Sequence, residues 1–237
     1  MSHEAVLFDL DNTLYPYAPC NEAGKRAALD ALRERGYELD RAAFDDLYAT
    51  GRRETKRETG GTAASHSRHV YFKRGLYRHA GDPDPAGALA AGDAYWNGYL
   101  AAMSLCDGAE DLLDALDAAG TDVAVVTNLT TRVQLRKLVR LGIDDRIDLL
   151  VTSEEVGREK PSALPFTAAL AAFDCPPSEA LAVGDNAETD VAGANAVGLD
   201  SALFVADGEA PPEGELDGDR RPDHRLDALA DLTEVAA

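Results

Sequence analysis

Short apolar runs alternate with helix-length segments of mixed polarity along most of this chain. Five runs stand out: AVLFD (5–9), DVAVVT (122–127), IDLLVT (147–152), ALAVG (180–184) and SALFV (201–205). Each has strand length and composition, and each of the four later ones is preceded by a segment whose spacing predicts a helix, at about 108–119, 130–141, 163–173 and 188–197. Gly120, Gly142 and Gly198 stand where those helices should stop. Strands that alternate with helices predict an α/β fold, a Rossmann-like parallel sheet with helices on both faces.

One stretch breaks the alternation. About 90 residues, 17–105, are rich in Ala, Arg and Leu and show no strand pattern. Structureless loops longer than about 15 residues are uncommon in compact domains, so the segment predicts an all-helical cap inserted after the first strand, over the C-terminal edge of the sheet. The predicted division is a core of residues 1–16 and 106–237 with a cap of 17–105. Near the end, DGEAPPEGELDGDRRPDH (207–224) reads as an exposed loop before a closing helix at about 227–236.

Size and charge narrow the function. A chain of 237 residues can bury about 70–75% of its unfolded surface, enough for one domain with an insertion. No run of 18 uninterrupted apolar residues occurs and MSHE leads straight into the first strand, so neither a membrane span nor a signal peptide is expected and the chain reads as cytoplasmic. Cys20, Cys106 and Cys175 are far apart and form no C-x-x-C pair, which suits reduced structural thiols. The net charge of −20 argues against a nucleic-acid polymer or an anionic membrane as partner. Excess Asp and Glu with only five lysines resembles halophilic proteins, and self-repulsion on that scale predicts stability that rises with KCl.

The chemistry gathers where strands end. AVLFDLDNTLYPY (5–17) sets Asp9 and Asp11 directly after an apolar run. Two carboxylates about 4 Å apart repel by roughly 4 kcal/mol at an effective dielectric near 20, so a cation, a proton or the metal of an anionic ligand must offset them. Thr127 and Asn128 follow the second run, Lys160 follows the third at a short distance, and Asp185 follows the fourth. Taken singly, each fits helix capping or a solvated surface. Taken in order, they predict one pocket, because open α/β sheets bind ligands beyond the carboxyl ends of their strands.

DLDNT (9–13), VVTN (125–128), Lys160 in EKPSALPF and GDNAETD (184–190) together resemble the four motifs of haloacid-dehalogenase-superfamily hydrolases. The resemblance spans nearly the whole chain and is to the phosphatase branch with a helical cap. LDNTLYPY is similar to pyrimidine 5′-nucleotidase-like members, with phosphoglycolate phosphatase-like members close by; Ala163 departs from the Pro that relatives often carry. The resemblance implies Mg2+ held by the Asp9 and Asp185 side chains and the Asp11 backbone carbonyl. It implies Asp9 as nucleophile, forming an aspartyl-phosphate, and Asp11 as general acid for the leaving alcohol and then base for water. Thr127, the backbone N–H of Asn128 and Lys160 would hold the transferred oxygens. Asp190 would orient Lys160 or the metal's waters, and Asn12 and Thr13 would fix the turn that aims Asp11, although capping accounts equally well for Thr13.

Dehalogenating relatives lack the acid at the Asp11 position, so the resemblance points to phosphoryl chemistry on a small phosphate ester: a nucleoside monophosphate, phosphoglycolate or a sugar phosphate. A sugar-phosphate mutase and a non-enzymatic, phospho-accepting domain similar to receiver domains are the alternatives. Monomer and homodimer both remain open.

The cap carries a local excess of positive charge. Residues 51–79 hold eight Lys or Arg against two Glu, a local +6 inside a chain of −20. Such a surface could steer an anionic substrate and close over it, or serve as an ordinary solvated helix face. His66 and His69 have a helix-compatible spacing but no third ligand beside them, so no zinc site is expected. Tyr71, Phe72, Tyr77, Tyr95, Trp96 and Tyr99 read as the packing of the cap itself.

Overall fold

Strand β1 (Ala5–Phe8) is buried at every residue, as a continuous apolar run should be when both faces of a parallel sheet are covered. The computed structural model describes residues 3–205 and 215–236. Around β1 lie β2 (Asp122–Thr127), β3 (Leu149–Thr152), β4 (Ala180–Gly184), β5 (Asp200–Phe204) and β6 (His224–Leu226), in the order β3-β2-β1-β4-β5-β6. All the pairings are parallel. Phe8 is level with Val125 on one side and Val183 on the other, so the three central strands end at one edge. The chain runs outward from β1 to β3 and then crosses to β4, which makes the β1–β4 junction the switch point where a ligand crevice opens.

The five expected strands are present. The sixth, β6, lies within and just after the stretch expected to be a loop; of that stretch, 206–214 fall outside the described residues. Alternate residues of β1 feed two cores: Val6 and Phe8 pack on one face with Val125 and Val183, while Ala5 and Leu7 pack on the other with Val126 and Phe166.

Between β1 and β2 come α1 (Tyr17–Glu34), α2 (Arg41–Thr59), a 3-10 turn (Ala63–His66), α3 (Arg68–Ala80), α4 (Pro85–Ala101) and α5 (Ala109–Ala119). The inserted segment is helical, with α1 packed on α4 and α2 on α3. Gly51 lets α2 and α3 approach backbone to backbone, since a Cβ there would fall 1.9 Å from the Tyr71 carbonyl oxygen. The first core continues from the sheet through Leu14 and Tyr15 to Phe44, Leu47 and Tyr95 of these helices.

The remaining helices are α6 (Thr131–Leu141), α7 (Ser153–Val156), α8 (Ala163–Phe173), α9 (Ala192–Asn195) and α10 (Leu232–Ala236). Helices α5 and α6 stop at left-handed Gly120 and Gly142, as the sequence predicts. The expected helix at 188–197 is instead a π-helical turn (Ala187–Val191) running into the short α9. The closing helix starts later than predicted, as a 3-10 turn (Leu229–Asp231) leading into α10. No helix among the described residues is long and apolar enough to cross a membrane.

Candidate active site

The first carboxylate sits one residue past β1, and its backbone still belongs to the ladder, Asp9 N donating to the Val183 carbonyl at 2.8 Å. The chain then turns on Asn12, whose φ of 62° lies in the left-handed region that asparagine tolerates better than most residues. Asn12 N donates to the Tyr15 carbonyl at 2.9 Å. Its side chain accepts from Tyr17 N at 3.0 Å and donates to Asp185 Oδ2 at 3.2 Å. Asn12 therefore closes the turn and ties it to the end of β4. The Thr13 hydroxyl, expected to help, is buried without a hydrogen-bond partner.

Lys160 reaches the same point from the loop before α8. Asn128, just after β2, brackets it with its side chain: Oδ1 accepts from Lys160 N at 2.8 Å and Nδ2 donates to the Lys160 carbonyl at 3.3 Å. The buried ammonium lies 2.6 Å from Asp9 Oδ1 and 2.6 Å from Asp190 Oδ1. Burial opposes its charge, but Asp190 and Asp9 outweigh that and hold its pKa above the ordinary lysine range. Asp190 is fixed by its π-helical turn and by Asn186 N, which donates to its Oδ2 at 3.1 Å. A Cβ at Gly184 would fall 2.4 Å from the Asp190 Cγ, so this strand end must be glycine. The buried Thr127 hydroxyl accepts from Gln134 Nε2 at 2.6 Å.

Asp9, Asp185 and Asp190 each place a carboxylate oxygen within 4.8 Å of the others. Burial, opposed by Lys160 and reinforced by Asp190, Asp11 and Asp185, pushes the Asp9 pKa up to about 8. Burial and the charge of Asp190 push Asp185 up to about 6. One lysine does not balance this many buried carboxylates. The all-oxygen donor set and its unbalanced negative charge fit a hard divalent cation. Asp190 joins this acidic group although its carboxylate already faces Lys160.

The Asp11 side chain has a different partner, one absent from the sequence reading. Lys137 Nζ lies 2.6 Å from Asp11 Oδ1, and the Tyr15 hydroxyl donates to the same oxygen at 2.7 Å. Lys137 is 1% exposed and stands 5.4 Å from the Tyr15 ring centroid and 5.5 Å from that of Tyr99. Burial would raise the Asp11 pKa, but the Lys137 charge and the two hydrogen bonds hold it below the usual carboxylate value. Lys137 itself is lowered by burial, against the pull of Asp11. In TTRVQLRKLVRL a lysine reads as solvated surface; the signal available was its place three residues after Gln134 and one before Leu138, the other buried positions of α6.

Asp9, Asp11, Thr127, Lys160, Asp185 and Asp190 line one cleft of about 400 Å³ whose other wall comes from the inserted helices, through Tyr17, Arg52, Lys56, His66, Arg68 and Tyr71. Every expected site residue except Thr13 borders it or, for Asp190 and Asp185, lies at its acidic floor. His66 Nε2 lies 2.9 Å from Glu159 Oε1, whereas His69 Nε2 lies 3.0 Å from Asp93, so the two histidines serve different partners. Phe72, Tyr95, Trp96 and Tyr99 are packed into the core, as expected, and Tyr77 is exposed. The Arg68 guanidinium stacks 5.1–5.2 Å from the rings of Tyr71, Tyr95 and Trp96.

The profile of the haloacid dehalogenase-like hydrolases matches residues 3–198. The chain is 53% identical over 236 residues to a ribulose-1,5-bisphosphate 5-phosphatase of Halopiger xanaduensis, covering 98% of this chain and 99% of that one. It is 33% identical to a glyceraldehyde 3-phosphate phosphatase of Methanopyrus kandleri, covering 98% and 96%. Among solved structures it is similar to a 2-haloacid dehalogenase from Pseudomonas syringae, with a TM-score of 0.78, 26% identity and coverage of 99% and 98%.

Proposed function

The chain belongs to the haloacid dehalogenase-like hydrolases and is a phosphatase among them, and we propose that it hydrolyses a small sugar phosphate, with Mg2+ as cofactor and Asp9 as nucleophile. The observation that carries this reading is the meeting of Asp9, Lys160, Asp190 and Asp185 at the sheet edge. The names of the two curated relatives supply the substrate class, and both are sugar or triose phosphates.

Asp9 and Asp185 would hold the cation with the Asp11 backbone carbonyl; when bound, it supplies positive charge that offsets the carboxylates and polarises the phosphoryl oxygens. An Asp9 oxygen attacks phosphorus, the P–O bond to the sugar breaks, and the phosphoryl group becomes an aspartyl ester. Asp11 gives its proton to the departing sugar oxygen. An incoming phosphate dianion beside Asp11 raises its pKa against Lys137, so that the carboxyl can carry this proton. Asp11 then returns to the ionised form that Lys137 and Tyr15 favour and takes a proton from the attacking water, whose oxygen displaces Asp9 from phosphorus. Lys160, Thr127 and the backbone N–H of Asn128 bind the transferred oxygens throughout. Asp190 orients the Lys160 ammonium.

We assign residues 17–105 as the cap and 1–16 with 106–237 as the core, working in the cytoplasm. The test is phosphate release with Mg2+ in KCl from pentose and triose phosphates, a nucleoside monophosphate and phosphoglycolate, beside Asp9→Asn. Metal-dependent release from a sugar phosphate that vanishes in the variant is the expected result. Intramolecular transfer without release would make the protein a mutase, and stoichiometric, persistent labelling of Asp9 would make it a phospho-accepting switch.

A further inference from the structure

Helix α2 turns two cations into the cleft, Arg52 and Lys56, one helical turn apart on the same face. Like charges at this spacing cost a few tenths of a kcal/mol in an isolated helix, and burial together with Arg52 lowers the Lys56 pKa. Neither forms a hydrogen bond or salt bridge among the described residues. Their neighbours differ: Arg57 and Arg74 bind Glu58, and Arg78 binds Glu54, so the two glutamates of the basic stretch are used on its outer side. Glu159 attracts Lys56 without a salt bridge to it; its Oε1 faces His66 Nε2 at 2.9 Å and accepts from the Ser65 hydroxyl at 2.9 Å. Arg68, the third cation on this wall, is held in place by its stacking on aromatic rings and by the Tyr17 hydroxyl, which accepts from its Nη2 at 3.1 Å.

The cleft is therefore polar in two halves. Its floor, at Asp9 and Lys160, suits the phosphoryl group that reacts, while the opposite wall presents two cations that form no salt bridge among the described residues, Glu159 of the same lining acting on Lys56 only from a distance. We propose that Arg52 and Lys56 form a second anion subsite, which takes a distal phosphate of the substrate, so that the preferred ester is a sugar bisphosphate. This rests on the phosphatase reading of the floor. Two separated cations match a phosphate dianion in charge, and an arginine can engage it through two N–H groups at once.

The experiment measures binding and turnover of a ketopentose 1,5-bisphosphate, the matching 5-phosphate and phosphoglycolate, at one fixed KCl concentration. Calorimetric titration uses Asp9→Asn, alone and combined with Arg52→Gln and Lys56→Gln; kinetics use the wild-type chain and the Arg52→Gln/Lys56→Gln variant. Glutamine keeps good helix propensity, and circular dichroism reports whether α2 is retained. The expected result is a preference of about tenfold or more for the bisphosphate, in Kd and in KM, that falls to within about threefold when both cations are removed. A preference that survives their removal, the same loss for mono- and bisphosphate, or an equal gain from the carboxylate of phosphoglycolate would each overturn the subsite. If no ester is hydrolysed, the phosphatase reading fails, while titration of the Asp9→Asn pair still decides the subsite.

Discussion

Lys137 places its ammonium 2.6 Å from Asp11 Oδ1, from a helix that begins after β2 and with its charge buried among Tyr15, Trp96 and Tyr99. The pair joins the core helix α6 to the turn that carries the proposed acid. Asp11 is thereby held ionised at rest, the state that suits activation of water in the second half of the reaction.

Replacing Lys137 by Met should leave Asp11 without its counter-charge. Breaking a buried pair commonly costs about 3–5 kcal/mol, and the Asp11 side chain is 28% exposed, so a loss of roughly 2–3 kcal/mol is expected. Because the folded pKa of Asp11 is depressed, its stabilisation is present above the unfolded value and is lost as pH falls through the folded one. The variant should thus lose most stability near neutrality and little in acid. Chemical denaturation at pH 7 and pH 3 checks this; an equal loss at both would assign the effect to packing.

Cation binding and pH should be linked through Asp9, raised to about 8, and Asp185, raised to about 6. A raised folded pKa means that these groups stabilise the metal-free fold when protonated, and that this contribution is lost as pH climbs through 6 and then 8. A divalent cation competes with those protons. The rise in Tm on adding magnesium should therefore be small at pH 5 and largest at pH 8, read by scanning calorimetry against a chelator control. A rise independent of pH would count against these two carboxylates as ligands.

Gly184→Ala should damage turnover more than binding. The added methyl would collide with the Asp190 side chain and turn its carboxylate away from Lys160. Overpacking of this kind costs about 1–3 kcal/mol. A fall in kcat with KM within about threefold is expected; wild-type kcat would show that the Asp190–Lys160 contact does not matter to the reaction.

Salt should stabilise this chain strongly. With a net charge of −20 the compact state repels itself, and the screening length shrinks from about 10 Å at 0.1 M to about 3 Å at 1 M. Tm is expected to climb between 0.1 M and 3 M KCl, and a flat melting profile would contradict the charge argument.

Of the site, the sequence alone determined the acidic and cationic motif residues and the edge of the sheet they share. Strand length, apolar runs and the order of strand ends are local properties, and the rule that parallel strands present their carboxyl ends to one crevice does the rest. It also determined that residues 17–105 are helical, from length and the lack of a strand pattern. The short β6 was not legible, because a three-residue strand in a polar stretch is made by pairing with β5 rather than by its own pattern.

Tertiary structure alone decided the partners. Whether Lys137 is solvated or buried depends on what faces α6, and what faces it is Asp11, 126 positions away. Among the basic residues of 51–79, sequence supplies the excess charge, but only the packing of α2 against α3 shows which arginines are spent on Glu54 and Glu58 and which cations are left facing the cleft. The physical reason is common to both cases: an ionic partner is chosen by distance in space, and the chain's spacing fixes that distance only within one helix or turn.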